Sequence, residues 1–133
     1  MPDVVTDTHA LIWYLEDSPR LSKAAREIYD ASDRGDIAVY VPTICLVEII
    51  YLQEKGRIPA DLKTRLDAEL QADSTGLVLA GLTAEVADAL SQVPRSQVPD
   101  MPDRIIAATA LCLGFPLISR DRRIQVSEVE TLW

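Results

Sequence analysis

Short runs of β-branched and aliphatic residues alternate with longer helical patterns, and this alternation constrains the fold more than any other feature of the sequence. Strands are predicted at 3–7, 37–41, 77–80, 116–119 and 129–133. Helices are predicted at 8–16, 22–33, 44–55, 61–72, 83–92 and 103–113, with a proline-containing loop at 93–102. Strands that alternate with helices in this way form a mostly parallel sheet. We therefore expect an α/β fold with a central sheet of four to five strands.

Length and composition are those of one globular domain over residues 1–133. Hydrophobic residues make up 48% and charged residues 26% of the chain, a balance that excludes a disordered, collagen-like or coiled-coil protein. The 13 basic and 21 acidic residues give a net charge of −8. Nucleic-acid-binding proteins usually carry the opposite sign, so any nucleic-acid function has to account for this acidity.

The cysteines and the apolar segments bear on the cellular compartment. Cys45 and Cys112 lie in apolar runs, form no CxxC pair and are expected to be buried. Two such cysteines do not make a disulfide framework, which favours a reducing cytoplasm. The sequence has no signal-peptide pattern at its start, and no apolar run approaches the roughly 18 residues of a membrane-spanning helix. We therefore expect a cytoplasmic protein without a membrane span.

Four acidic residues occupy unusual places in this pattern. Asp7 ends the first predicted strand, Asp121 follows the fourth, and Asp103 opens the helix that precedes the fourth strand. Glu48 lies in a helix that is otherwise apolar on nearly every side. Because parallel strands end at the same edge of a sheet, and sites in such sheets lie beyond the carboxyl ends of the strands, these carboxylates are expected to converge there.

Each of these acids also has an ordinary interpretation. Asp7 and Asp103 are suited to cap helices, and Asp121 to a turn. Glu48 needs a partner from elsewhere in the chain, because an ionised Glu among apolar residues costs several kcal/mol unless it is paired. If the four converge, however, a hard divalent ion such as Mg²⁺ or Mn²⁺ would relieve their repulsion. The lack of clustered histidines argues against Zn²⁺.

Four motifs in this order resemble those of the PIN-domain family, and within it the VapC-type toxins of bacterial type II toxin–antitoxin systems. The resemblance covers essentially the whole chain. The motifs are Val4-Val5-Thr6-Asp7-Thr8-His9-Ala10-Leu11-Ile12-Trp13, Val47-Glu48-Ile49, Asp100-Met101-Pro102-Asp103-Arg104-Ile105-Ile106-Ala107-Ala108 and Leu117-Ile118-Ser119-Arg120-Asp121.

This resemblance implies an α/β/α sandwich and a metal-dependent endoribonuclease that acts as a toxin. It implies that Asp7, Glu48, Asp103 and Asp121 hold Mg²⁺ or Mn²⁺ and are the catalytic residues. It further implies a homodimer that is inhibited by a VapB-like antitoxin. Two departures keep these acids intact: Met101 and Pro102 stand where many relatives have Pro-Phe, and Ser119 replaces a common Thr.

Residues beside the four acids are expected to support them. Thr8 and Ser119 are expected to position a water or a carboxylate through their hydroxyls. Asp100 is a weaker candidate for this site and is expected to be a loop residue. His9 is expected to pack or form a hydrogen bond rather than act as a base. An amphipathic antitoxin segment is expected to dock on the first helix and on residues 22–61. The expected phosphate contacts are Arg104, Arg120 and Arg122, with Arg95 and Arg123 as further candidates.

Two other functions remain open at this point. A phosphatase with an aspartyl nucleophile also has an acid after its first strand, but it would typically have a second Asp where His9 stands and a lysine downstream, and no lysine follows Lys63. A non-catalytic module that binds only another protein is the second alternative. The presence of all four expected acids argues against it.

Overall fold

The computed structural model describes residues 1–125 and 128–133. The strands are β1 (Val4–Thr6), β2 (Val39–Pro42), β3 (Leu77–Ala80), β4 (Leu117–Ile118) and β5 (Thr131–Leu132). The helices are α1 (Thr8–Leu15), α2 (Lys23–Asp33), α3 (Thr43–Glu54), α4 (Leu62–Gln71), α5 (Ala84–Ala89), α6 (Met101–Leu113) and α7 (Arg122–Gln125). A 3₁₀ turn, Leu90–Gln92, extends α5.

The five strands form one sheet in the order β3-β2-β1-β4-β5, and every neighbouring pair is parallel. The predicted α/β fold with a mostly parallel sheet of four to five strands is therefore confirmed. Strands β1 and β4 are adjacent, with Val5 opposite Leu117 and Thr6 opposite Ile118. This pairing brings the residues that follow β1 and β4 to the same edge of the sheet.

The central strands are buried, as expected for a parallel sheet that helices cover on both faces. Val4, Val5, Val39, Leu117 and Ile118 have no solvent-exposed surface. Burying an aliphatic side chain of this kind stabilises a fold by about 1.5–3 kcal/mol. The sheet is thus a rigid support for the loops at its carboxyl edge.

The start of α6 differs from the sequence prediction. The loop was expected to continue to 102 and Asp103 to open the helix, but α6 begins at Met101. Asp100 caps it, because its Oδ2 accepts a hydrogen bond from the Asp103 amide at 3.2 Å. Pro102 fits in the first turn, where its missing N–H would have no partner within the helix. Asp100 itself lies outside the helix, as expected of a loop residue, and it also caps α6.

Cys112 and the end of the chain differ from expectation. Cys112 was expected to be buried but is exposed on α6, whereas Cys45 is buried as predicted. Both thiols are free. The short helix α7 was not predicted. In the part of the chain that the structure describes, no helix is both long and apolar enough to cross a membrane.

Gly76, just before β3, is a position where a side chain does not fit. A Cβ there would lie 2.1 Å from the Ile37 carbonyl oxygen and 2.8 Å from the Ser32 carbonyl oxygen. Both are main-chain atoms, so Gly76→Ala is expected to lower the free energy of unfolding by about 2–4 kcal/mol. Gly81→Ala is the matched control, because a Cβ at Gly81 meets nothing within 4 Å. Equal urea midpoints for the two variants would contradict this prediction.

Candidate metal and active site

A cleft of about 240 Å³ opens at the carboxyl edge of the sheet, beside the ends of β1 and β4. Its lining brings together three of the four predicted acids with three other side chains. These residues are Asp7, His9, Trp13, Asp103, Arg120 and Asp121. Glu48, the fourth acid, lines an adjoining apolar cleft, and His9 is common to both.

Asp7 is fixed where β1 passes into α1. It is the N-cap of α1, and its Oδ1 accepts a hydrogen bond from the Ala10 amide at 2.8 Å. Its own amide donates to the Ile118 carbonyl at 3.1 Å, which ties it to the end of β4. Burial raises the pKa of the Asp7 carboxyl, and the hydrogen bonds from Ala10 and Ser119 counteract this only in part. The charge of Asp121 raises that pKa further.

Asp103 lies in the first turn of α6 and faces the other carboxylates. Its pKa rises from an ordinary 3.8 to about 7. Burial is the largest cause, and the negative charges of Asp100, Asp121 and Glu48 add to it. At neutral pH part of the protein population therefore keeps a proton on this carboxyl, unless a cation takes the proton's place.

Glu48 has the partner that its apolar helix requires. Thr8 Oγ1 donates a hydrogen bond to Glu48 Oε1 at 2.5 Å, linking α1 to α3. Burial nevertheless raises the pKa of Glu48, and Asp100 and Asp7 raise it further. Glu48 is therefore electrostatically part of the same cluster as Asp7 and Asp103, although it lines the neighbouring cleft.

Ser119 and Asp121 form the turn that follows β4. The Ser119 side chain is buried and hydrogen-bonds the Asp7 carboxylate. Its Oγ also accepts from the Asp121 amide at 3.0 Å. The Asp121 Oδ1 accepts from the Arg123 amide at 2.8 Å. Ser119 thus contacts both Asp7 and Asp121, while Thr8 contacts Glu48. The supporting roles expected for these two hydroxyls stay a prediction.

The three arginines expected to contact phosphate differ in their surroundings. Arg104 donates from Nε to the Val93 carbonyl at 2.7 Å and from Nη2 to the Leu90 carbonyl at 3.0 Å. Two of its donor groups therefore fasten the 3₁₀ turn to α6, which does not agree with the expected phosphate contact. Arg120 lines the cleft, and Arg122 is exposed at the start of α7.

Asp100 and Trp13 were not among the predicted site residues. Asp100 raises the pKa of both Asp103 and Glu48, so it is a fifth carboxylate of the cluster. Its spacing three residues before Asp103, with a proline between them, matches a helix cap and was the available signal. No sequence signal links Trp13 to the cleft, since its apolar neighbours in α1 equally favour a core position.

The cluster suits a hard divalent ion that keeps part of its water shell. Within residues 1–125 and 128–133, no group of three His, Cys, Asp or Glu side chains is arranged to hold an ion by itself. Mg²⁺ usually binds through only one or two carboxylates together with waters and substrate phosphates. The ion pairs within 4.0 Å among the described residues, Arg26–Asp17, Arg34–Asp36 and Lys63–Asp67, involve none of the cluster's acids. His9 lowers the pKa of Asp7 and Glu48, but the pKa of each stays raised.

The metal-free protein is expected to lose stability as the pH rises from 5 to 8. Because the pKa of Asp103 is higher in the folded chain than its ordinary value, the folded state binds more protons between about pH 4 and 7. The free energy of unfolding should fall by about 1–2 kcal/mol over this window, less than full linkage because the carboxyl is partly exposed. Thermal unfolding in EDTA measures the fall, and excess Mg²⁺ or Mn²⁺ at pH 8 should reverse it. A melting temperature in EDTA that is equal at both pH values would contradict the prediction.

The chain is thus a parallel α/β protein with a carboxylate-lined cleft at the carboxyl ends of its central strands. This is the place where such sheets bind their ligands. A family model described as PIN domain matches residues 4–129. The chain therefore belongs to the PIN domain family.

Relatives agree with this assignment. Ribonuclease VapC22 of Mycobacterium tuberculosis is 31% identical to the chain over 125 residues, which cover 94% of this chain and 92% of the relative. VapBC2 from Rickettsia felis, crystallised with a DNA fragment from the promoter, aligns with a TM-score of 0.73 and 12% identity over 98% of this chain and 97% of that one. A toxin–antitoxin complex from Klebsiella pneumoniae aligns with a TM-score of 0.67 and 18% identity, over 98% and 96%. At these identities the two structures support the fold.

Proposed function

We propose that this protein is a divalent-metal-dependent endoribonuclease and the toxin of a toxin–antitoxin module. The observation that carries the proposal is the cleft in which Asp7, Asp103 and Asp121 face one another. The name of the 31% identical relative, Ribonuclease VapC22, supports RNA as the substrate. The net charge of −8 is partly explained, since four acids belong to the proposed site and the remainder, 13 basic against 17 acidic residues, is −4.

In this proposal Asp7, Glu48, Asp103 and Asp121 hold Mg²⁺ or Mn²⁺ and are the catalytic acids. A bound ion would supply a water of lowered pKa and positive charge near the phosphate oxygens. The chain's own residues prepare the cleft for this chemistry. Ser119 orients the Asp7 carboxylate, and Thr8 orients Glu48 through its hydroxyl.

An antitoxin of the VapB type is the proposed partner, and the apolar cleft beside the site is its proposed docking place. The cleft has a volume of about 320 Å³ and lies between α3 and α6. Val47, Tyr51 and Met101 line it with more than 40% of each side chain exposed. Of the two surfaces expected to bind it, residues 22–61 include α3, whereas the first helix offers little docking surface because most of α1 is buried. We also propose that the protein is cytoplasmic, because a ribonuclease meets its RNA substrate there. A homodimer is the proposed oligomeric state.

The test is cleavage of a structured RNA by the purified protein with Mg²⁺ or Mn²⁺. Cleavage is expected to stop in excess EDTA and to resume when the metal is restored in excess. An Asp7→Asn protein purified in parallel shows whether a contaminating nuclease contributes. Cleavage that continues in EDTA would overturn the proposal.

The same experiment separates the two alternatives. Hydrolysis of a simple phosphate monoester without RNA cleavage would favour the aspartyl phosphatase. The absence of both activities in the wild-type protein with either metal would favour a module that only binds another protein. In that case the antitoxin would still be expected to bind the cleft between α3 and α6.

A further inference from the structure

Arg120 occupies an unusual position in the carboxylate cleft. It lies between Ser119 and Asp121 in the turn after β4, and its side chain lines the cleft. Its guanidinium carbon lies over the Trp13 ring, 4.7 Å from the ring centroid. This distance is well within the roughly 6 Å that is typical of a cation–π interaction.

Among the described residues Arg120 forms no ion pair, although three carboxylates line the same cleft. Asp7, Asp103 and Asp121 line the same cleft, but the ion pairs within 4.0 Å among the described residues all lie elsewhere. A guanidinium beside three carboxylates is ordinarily drawn to one of them. The Arg120 guanidinium instead contacts the Trp13 ring at the wall of the cleft.

Trp13 is itself held firmly. It is 7% exposed, and Trp133 packs against it edge-on, with ring centroids 5.8 Å apart. The His9 ring contacts it at 5.7 Å. Since Trp13 belongs to α1, whose cap is Asp7, the tryptophan ring and the first acid are positioned by the same helix.

We propose that Trp13 is a positioning residue that holds Arg120 ready to bind an RNA phosphate beside the carboxylate cluster. This inference rests on the proposed ribonuclease function and adds the group that recognises the substrate's charge. A guanidinium donates paired N–H groups to phosphate oxygens, and stacking on an aromatic face leaves its edge free for them. It supplies one positive charge for a phosphate inside the acidic cleft of a chain whose net charge is −8.

The test is the affinity for a fluorescein-labelled single-stranded RNA, measured by anisotropy over a series of salt concentrations. All proteins carry Asp7→Asn so that the RNA is not cleaved. Arg120→Ala and Trp13→Leu are each expected to weaken binding about tenfold, and Trp13→Phe about threefold. Arg120→Ala and Trp13→Leu should also reduce the slope of log affinity against log salt by about 0.7, the loss of one phosphate contact.

The double variant distinguishes positioning from direct contact. If Trp13 acts through Arg120, Trp13→Leu or Trp13→Phe should cause no further loss once Arg120 is alanine. Arg34→Ala is the matched control with unchanged affinity, because Arg34 pairs with Asp36 in the loop before β2, at the opposite edge of the sheet.

Two results would overturn the inference. The first is a slope of log affinity against log salt that Arg120→Ala leaves unchanged. The second is a tryptophan substitution that weakens RNA binding equally with and without Arg120. If Trp13→Leu does not fold, the same comparison is made with Trp13→Phe, which keeps an aromatic ring. Wild-type protein that cleaves RNA while these variants bind it normally would refute the role of Trp13 and Arg120 and leave the proposed function intact. Wild-type protein that binds RNA through Arg120 without cleaving it in any metal would refute only the nuclease proposal.

Discussion

Asp7→Asn is expected to reduce metal-dependent RNA cleavage by at least about a hundredfold without unfolding the protein. Removing a charge that holds a metal ion or steadies a developing charge typically costs 10²–10³ in rate, or about 2.7–4 kcal/mol. The amide oxygen of Asn can still accept the hydrogen bond from the Ala10 amide, so the α1 cap is kept. The substitution thus separates the carboxylate's charge from its structural role. Single-turnover cleavage of a labelled RNA with saturating Mn²⁺ measures the loss.

Two variants complete this experiment. Asp7→Ala also removes the cap, and it should be less stable than Asp7→Asn by about 1 kcal/mol in urea unfolding. Asp73→Asn removes an exposed carboxylate just after α4 and should leave the rate unchanged. Retention of more than about a tenth of wild-type activity by Asp7→Asn, at equal stability, would show that Asp7 is not a metal ligand.

The order of strands and helices could be predicted because local periodicity carries that information. Strand β3 was predicted with its observed bounds, and Ser22 and Thr83, where the second and fifth helices were predicted to begin, are the N-caps of α2 and α5. The convergence of Asp7 and Asp121 followed from one physical rule, that parallel strands end at the same edge of the sheet. None of these predictions required knowledge of a contact between residues that are distant in the sequence.

What the sequence did not reveal depends on contacts between distant segments. Arg104 was predicted to face the substrate, but it donates to carbonyl groups 11 and 14 residues earlier in the chain. The Arg120–Trp13 contact joins residues that are far apart in sequence, and so does the hydrogen bond between Thr8 and Glu48. The start of α6 was misplaced because Pro102 was interpreted as a loop residue, although proline is also common in the first turn of helices.

Asp103→Asn is expected to lower RNA cleavage and to raise the stability of the metal-free protein. RNA cleavage should fall at least about a hundredfold, as with Asp7→Asn, because an amide cannot supply a negative charge to the metal. In EDTA at pH 8, however, the variant should be more stable than the wild type by about 1 kcal/mol. The reason is that the charged Asp103 is partly buried and repelled by Asp100, Asp121 and Glu48, whereas Asn is neutral. Thermal unfolding in EDTA at pH 5 and pH 8 measures the difference.

The pH dependence identifies the cause of that stability gain. A raised pKa in the folded chain destabilises the wild type progressively as the pH rises from the ordinary value of 3.8 towards about 7, so the difference between the two proteins should be smaller at pH 5 than at pH 8. Asp88→Asn on α5 removes an exposed acid near α6 and should follow the wild type at both pH values. A constant offset between Asp103→Asn and wild type would instead mean that the amide packs better than the carboxyl. A stability difference that narrows from pH 8 to pH 5, together with lost cleavage, would mean that the repulsion destabilising the metal-free fold comes from charges that the reaction needs.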